Sequence, residues 1–469
     1  MSNLIIDIAK YLMIFLFAFY TYEGFAALRR NISHEKKNHM LSRQSVSIYL
    51  IHALGYLCIY VATDDDTMII FYAVQFVFFK VLQSCYQLIY EKTSRLVTNN
   101  LCMLLCIGFI MLARLSFDKA LKQFLFAVVS VIVSLIIPVC IRKVGFVRRM
   151  YWVFAAIGIL MLGIVAVAGR TSYGAKLSIS IAGFSLQPSE FIKILFVFFV
   201  AGMLYEDTSF KRVCITTVLA AAHVLILVLS RDLGSALIFF VAYLVMLYVA
   251  TRKVLYFGAG IICGSVAAVV GYHLFSHVQA RVIAWQAPLS VIDNEGYQVS
   301  QSLFAIGTGG WFGMGLYQGL PNKIPVVEQD FIFSAIAEEL GGIFAICLIM
   351  VCINCFLMFL NIAMQMKDQF YKLVALGLGT VYGFQVILTI GGAIKFIPST
   401  GVTLPLVSYG GSSLVTSMMI FAIVQGLYIL RQDENDQIGP NHGTKGEVKA
   451  NGKRTGKKTK FDTDIEDFS

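Results

Sequence analysis

Apolar residues run along this chain in blocks long enough to cross a bilayer, separated mostly by short polar links. Read as helices, the blocks fall near 4–27, 45–62, 68–90, 99–116, 121–141, 151–169, 187–205, 213–230, 234–250, 254–274, 331–360, 371–393 and 407–430. About 20 apolar residues in a helix span a hydrocarbon core of roughly 30 Å. The pattern therefore predicts an all-α polytopic membrane protein of about thirteen transmembrane helices. Two stretches break it, a long link at 275–330 and a hydrophilic tail from Gln432. The first run, Leu4 to Leu28, is too long for a signal-peptide core and lacks a small-residue cleavage site, so it reads as a first span.

Composition agrees with a bilayer as solvent. Hydrophobic residues make up 58% of the 469 and charged ones 14%, where soluble domains carry about 25% charge. The net charge of +10 does not point to nucleic acid, because the basic residues sit in short links and in the tail, as the positive-inside rule expects. Of ten cysteines, nine lie inside apolar runs and none forms paired metal-binding spacings, so they read as small buried apolar residues.

Loop charge sets the expected topology. The link with Arg29, Arg30, Lys36, Lys37 and Arg43 is basic, as are Arg142 to Arg149 and Arg252-Lys253, whereas Asp64-Asp65-Asp66 is acidic. Basic links in the cytoplasm and an odd number of spans place the N-terminus outside and the C-terminus inside. The link 275–330 is then external. The tail carries Lys445, Lys449, Lys453, Arg454, Lys457, Lys458 and Lys460 ahead of an acidic end. It reads as a solvated, disordered segment that fixes orientation, or as a contact with anionic membrane lipids.

Four polar stretches depart from plain membrane composition, and all map to the outer side. Around Gln187-Pro188-Ser189-Glu190, proline suits a first helical turn, and Glu190 with Lys193 three residues on can pair on one face. Ionisable groups at that depth face a bundle interior or a cavity, or form a purely structural ion pair. Asp232, before Leu233-Gly234, reads as a helix N-cap. The long link holds Arg281, Trp285, Pro288, Tyr297-Gln298, Gln301-Ser302, a glycine-rich run over 307–319, Lys323 and Asp330. So long a link is uncommon unless it works, and its glycines permit close approach of a ligand to backbone. Asp330 opens the next helix and would stabilise it as a cap without any chemistry. Glu338 and Glu339 follow, at least one of which must face protein or water. Finally, Pro398 to Pro405 and Ser408-Tyr409-Gly410-Gly411-Ser412-Ser413 read as irregular backbone at membrane depth, tolerated only inside protein or beside a wet cavity.

Taken in order, Gln187-Pro188-Ser189-Glu190 with Lys193, Asp232-Leu233-Gly234, Tyr297-Gln298 with Gln301-Ser302, Asp330-Phe331-Ile332-Phe333 with Glu338-Glu339, and Ser408 to Ser413 resemble the SEDS family, which includes RodA, FtsW and SpoVE. The resemblance covers about 99–430. It implies a ten-helix glycosyltransferase core there, with 1–98 as an N-terminal three-helix membrane extension and 431–469 as a disordered cytoplasmic tail. In the extension, Lys80, Gln83 and Gln87 share a helical face and read as interhelical contacts.

The resemblance further implies polymerisation of lipid II into glycan strands at the outer face of the cytoplasmic membrane, in cell shape, division or sporulation. A class B penicillin-binding protein would be the transpeptidase partner. Asp330 would be the essential carboxylate and general base, with Arg281, Lys193, Glu190, Lys323, Gln301, Ser408 and Ser412 as substrate contacts. A divalent cation, Mg or Mn, is expected with the pyrophosphate, without a dedicated ligand set and without an organic cofactor. The chain departs from the family pattern at Pro325-Val326-Val327-Glu328-Gln329 and at Gly174-Ala175-Lys176. Two rivals stay open: a lipid II flippase or transporter, which needs polar groups along its whole path, and a non-catalytic scaffold.

Overall fold

The computed structural model describes residues 2–29, 32–143, 145–172, 175–181 and 184–438. The basic block of the tail and Gly174 lie outside the described residues. The described residues form fifteen α-helices: α1 Ser2–Ala26, α2 His34–Thr63, α3 Thr67–Ile89, α4 Arg95–Leu115, α5 Phe117–Lys143, α6 Tyr151–Ala168, α7 Pro188–Leu204, α8 Phe210–Leu229, α9 Leu233–Thr251, α10 Val254–Leu274, α11 Ser276–Gln286, α12 Tyr297–Gly309, α13 Ile332–Gln365, α14 Gln369–Ala393 and α15 Gly411–Ile438. Every expected span is a helix.

Among the described residues, twelve helices are long and apolar enough to cross a membrane. The thirteenth expected span, α7, has 17 residues, close to the lower limit for spanning, and is buried along almost its whole length. The chain is a multi-pass membrane protein. Its lipid-facing surface is plain on α10, which buries no residue and exposes Ile262, Val266 and Val269. Cys140, Cys214 and Cys263 also lie exposed, against the expectation that all ten cysteines are buried. A bilayer solvates a thiol on an outward helix face as readily as a core does.

Three local features correct the sequence reading. The acidic and basic residues at 35–37 lie inside α2, which starts at a Ser33 cap and runs ahead of its apolar part, so helix and hydrophobic span have different limits. The long link at 275–330 is mostly structured, containing α11 and α12. Between α6 and α7 the chain forms a small antiparallel sheet, β1 Arg170–Ser172, β2 Ala175–Ile181 and β3 Phe184–Leu186. Leu177, Ile179 and Ile181 alternate with polar residues there, a period-two pattern of six residues that an apolar-run reading passes over.

Helix α4 is the central post, with every residue from Leu96 to Ala113 buried. Helices α2, α3, α5, α13 and α15 pack around it. The N-terminal helices are tied on by polar contacts as well as packing. Tyr20 donates to Asn100 Oδ1 at 2.8 Å, and Asn100 donates to Asn354 Oδ1 at 2.8 Å, all three buried. In lipid such contacts replace the hydrophobic drive between helices.

Helix α13 is broken at Gly341, whose φ of 91° and ψ of 167° suit glycine alone. The glycine-rich run enters the break. Met314 and Gly315 N–H groups donate to the carbonyls of Glu338 and Glu339, and Gly342 and Ile343 donate to those of Gly310 and Trp311, all at 2.8–3.1 Å. Both glutamates are buried here. Glu339 pairs with Arg114 at 2.8 Å, and Glu338 accepts from the Leu320 N–H at 2.9 Å. A Cβ on residue 341 would stand 2.4 Å from Gly313 N. Gly341→Ala is therefore expected to cost roughly 1–3 kcal/mol in strain alone, read as a lower midpoint of thermal unfolding in detergent. An unchanged midpoint would show that the break is soft.

Candidate active site

Asp330 stands two residues before α13, whose cap position is Phe331 with no side-chain cap bond. The carboxylate makes no hydrogen bond with any described residue, so the capping role open in the sequence does not hold. It is partly exposed in a protein-lined recess. Burial pushes its pKa up to about 6, Arg281 draws it down, and Glu328 raises it again.

Arg281 comes from the opposite wall. Helix α11 lies on the segment after α14, with Arg281 Nη1 donating to Ser399 O at 3.0 Å and Trp285 Nε1 to Lys395 O at 3.2 Å. Burial lowers the guanidinium from its ordinary range, while Asp330 and Asp232 pull it back up. It remains a cation at any working pH. The two head groups converge on Gly401, whose φ is +74°: a Cβ there would be 3.6 Å from Asp330 Oδ2 and 3.7 Å from Arg281 Nη2. They close no ion pair, so a carboxyl and a fixed cation stand apart around the same glycine.

Asp232 borders the same recess and was legible in the sequence only as a cap. It is that cap, accepting from Ser235 N at 3.1 Å, but its Oδ2 also accepts from Ser189 Oγ at 3.1 Å and Gln187 Nε2 at 3.4 Å. It thereby joins the start of α7 to the start of α9 and lies within the field of Arg281. Gly234 lets α9 approach this wall, since a Cβ there would meet Val402 Cγ2 at 2.2 Å.

The other expected contacts are distributed differently. Lys193 is buried, 2.6 Å from Glu190 and 2.7 Å from Gln385 Oε1, and Gln385 Nε2 donates to Thr403 O at 3.0 Å. These groups tie α7 and α14 to the irregular segment and are not joined to Asp330. Ser408 Oγ donates to Gln329 O at 2.5 Å and accepts from Leu404 N at 2.9 Å, which holds the backbone beside Asp330 in place. Ser412 Oγ accepts from Gln187 N at 3.0 Å. Gln301 is half-buried on α12, and Lys323 is exposed in a short 3-10 turn. Neither side chain has a polar partner among the described residues. Lys119, which the sequence reading passed over, pairs with Glu328, whose backbone carbonyl accepts from Tyr409 N. Its only signal was a charged start to an apolar run.

Among the described residues, no group of three or more His, Cys, Asp or Glu is placed to hold a metal. The recess does not fit a dedicated metal site.

Residues 94–432 match the family described as "Cell cycle protein", the FtsW/RodA/SpoVE family. The chain is 33% identical over 322 residues to the peptidoglycan glycosyltransferase RodA of Mycobacterium leprae, covering 65% of this chain and 69% of that one. It is 31% identical over 324 residues to stage V sporulation protein E of Bacillus subtilis, covering 66% and 86%. Among solved structures, a chain of a peptidoglycan synthase complex that coordinates polymerization and crosslinking aligns with a TM-score of 0.62 at 21% identity, over 73% of this chain and 98% of that one. Thermus thermophilus RodA aligns at 0.54 and 20%, over 72% and 96%. These matches make the chain a member of the FtsW/RodA/SpoVE, or SEDS, family.

Proposed function

We propose that this protein is a peptidoglycan glycosyltransferase that polymerises lipid II at the outer face of the cytoplasmic membrane, with Asp330 as general base. The observation that carries the reading is the meeting of Asp330 and Arg281 over Gly401, with burial holding the carboxyl near 6. A base with that pKa is deprotonated at neutral pH yet basic enough to take a proton in the transition state.

The 4-hydroxyl oxygen of the incoming sugar attacks the anomeric carbon of the donor strand. The bond from that carbon to the undecaprenyl pyrophosphate oxygen breaks, and the hydroxyl proton passes to an Asp330 oxygen. Negative charge gathers on the leaving pyrophosphate, opposite the acid, where the guanidinium of Arg281 is held ready by Ser399 O. A Mg or Mn ion would depend on substrate phosphates for most of its ligands. The division into a 1–98 extension and a 99–430 core belongs to this reading, as does an N-terminus outside and a C-terminus inside. In support, Lys10 near the N-terminus donates to Gly313 O, so that end of α1 shares a face with the long link. A class B penicillin-binding protein is the proposed partner, in line with the synthase complex whose chain shares this fold.

The purified full chain, alone and with candidate transpeptidases, is expected to convert lipid II into glycan strands resolved on a gel. Movement of lipid II across vesicles without polymer would replace this reading with a flippase. Polymer only from the partner would leave a scaffold.

A further inference from the structure

The N-terminal helices hold a cleft of about 280 Å³ with no role in the reaction above. It is bordered by the first half of α2, the second half of α3 and the first residue of α4. That places it at the end of the bundle opposite Asp330, the end where Lys92 pairs with Asp433 of α15. Two cations line it, Lys80 and Arg95, and no acidic residue does.

Neither cation is satisfied by the protein. Lys80 lies 4.2 Å from the Tyr49 ring centroid and makes no hydrogen bond or ion pair with any described residue. A ring face leaves ammonium donors free. Arg95 donates one Nη2 bond to Ser42 Oγ at 3.1 Å, while its buried Nε has no partner. Gln83 is 93% buried, its Oε1 accepts from Tyr49, and its Nε2, beside the Cys102 thiol, finds no oxygen acceptor. Gln87 and Ser84 lie exposed on the same face of α3. The interhelical role read for this face from sequence accounts for Gln83 and for the ring contact of Lys80, but leaves the Lys80 ammonium donors without an acceptor.

The donors all want an acceptor with several oxygens and negative charge. The surroundings say where it comes from. Val46 on its wall is exposed, and the neighbours in sequence of two lining residues of α3, Val81 and Leu88, are exposed too. Lys80 lies nine residues before the end of α3, about 14 Å along a helix axis, and a lysine can snorkel from there toward a headgroup region. A soluble anion has no use for an apolar rim, whereas an anionic lipid fills both halves.

We propose that this cleft binds the phosphodiester headgroup of an anionic phospholipid, from the leaflet opposite the Asp330 recess, with Lys80 and Arg95 on the phosphate and Gln83 and Gln87 as further donors. Basic pockets between membrane helices on the cytoplasmic side take such headgroups. The site makes the extension a reader of membrane composition, independent of the polymerase chemistry.

The full chain in neutral detergent serves as the test, with phosphatidylglycerol, phosphatidylcholine and inorganic phosphate as the added probes. Phosphatidylglycerol is expected to raise the unfolding midpoint and to remain bound in native mass spectra, the other two not. Lys80→Gln with Arg95→Gln should weaken phosphatidylglycerol retention by about tenfold or more, with Lys80→Arg retaining it. Since the comparison of probes is made on the wild type, a misfolded variant does not protect the proposal. Equal shifts with phosphatidylglycerol and phosphatidylcholine would overturn it, as would undiminished retention in a folded double variant. An equal shift with inorganic phosphate would overturn the lipid as the source.

Discussion

Asp330→Asn is expected to lower the rate of lipid II polymerisation by about 10²- to 10⁴-fold, the range a positioned general base supplies. The amide matches the carboxylate in shape but accepts no proton at neutral pH. Because Asp330 makes no hydrogen bond with any described residue and does not cap α13, the substitution breaks no structural contact. The unfolding midpoint should hold, and substrate binding should change far less than turnover. Full polymerisation by a folded Asp330→Asn protein would end the general-base assignment. The wild-type rate should also fall tenfold per pH unit below about 6, because only the deprotonated carboxyl accepts the proton.

Arg281→Gln should be the second largest loss. Removing one fixed donor from a developing negative charge costs about 10²- to 10³-fold in turnover, and here a full cation is removed. The pH profile separates this role from a structural one. Arg281 draws the Asp330 pKa down, so its loss must push that pKa higher and shift the acidic limb of the profile to higher pH. Raising the pH should then restore part of the activity in the variant. An acidic limb that stays in place, or moves down, would show that Arg281 does not act on the base.

Much of the architecture was legible because a bilayer imposes a strict rule: every backbone group in hydrocarbon must be paired internally, so apolar runs become helices. The same rule made the irregular segment around Pro398–Pro405 conspicuous, and it lines the recess through Ser399 and Gly401. What eluded sequence were features whose meaning depends on a neighbour. Asp232 looked like a cap and is one, yet it also binds Ser189 across two helices. Lys193 pairs with Glu190, as their spacing allowed, but its second partner, Gln385, comes from α14. The glycine-rich run suggested ligand contact, but its glycines over 310–315 chiefly supply hydrogen bonds to the broken α13.

The sequence by itself determined the membrane class, the thirteen helical blocks, the family and the candidate carboxylate. These follow from composition, apolar run length and ordered motifs, all carried by adjacent residues. Only the tertiary structure decided the company of that carboxylate. Arg281 and Gly401 are 120 residues apart in the chain and meet because α11 is pinned onto the segment after α14. It also decided that Asp330 is a carboxyl raised to about 6 and not a cap, since both burial and free hydrogen-bonding capacity belong to the packed recess. Distances between helices are set by side chains filling the space between them, and no local pattern records that.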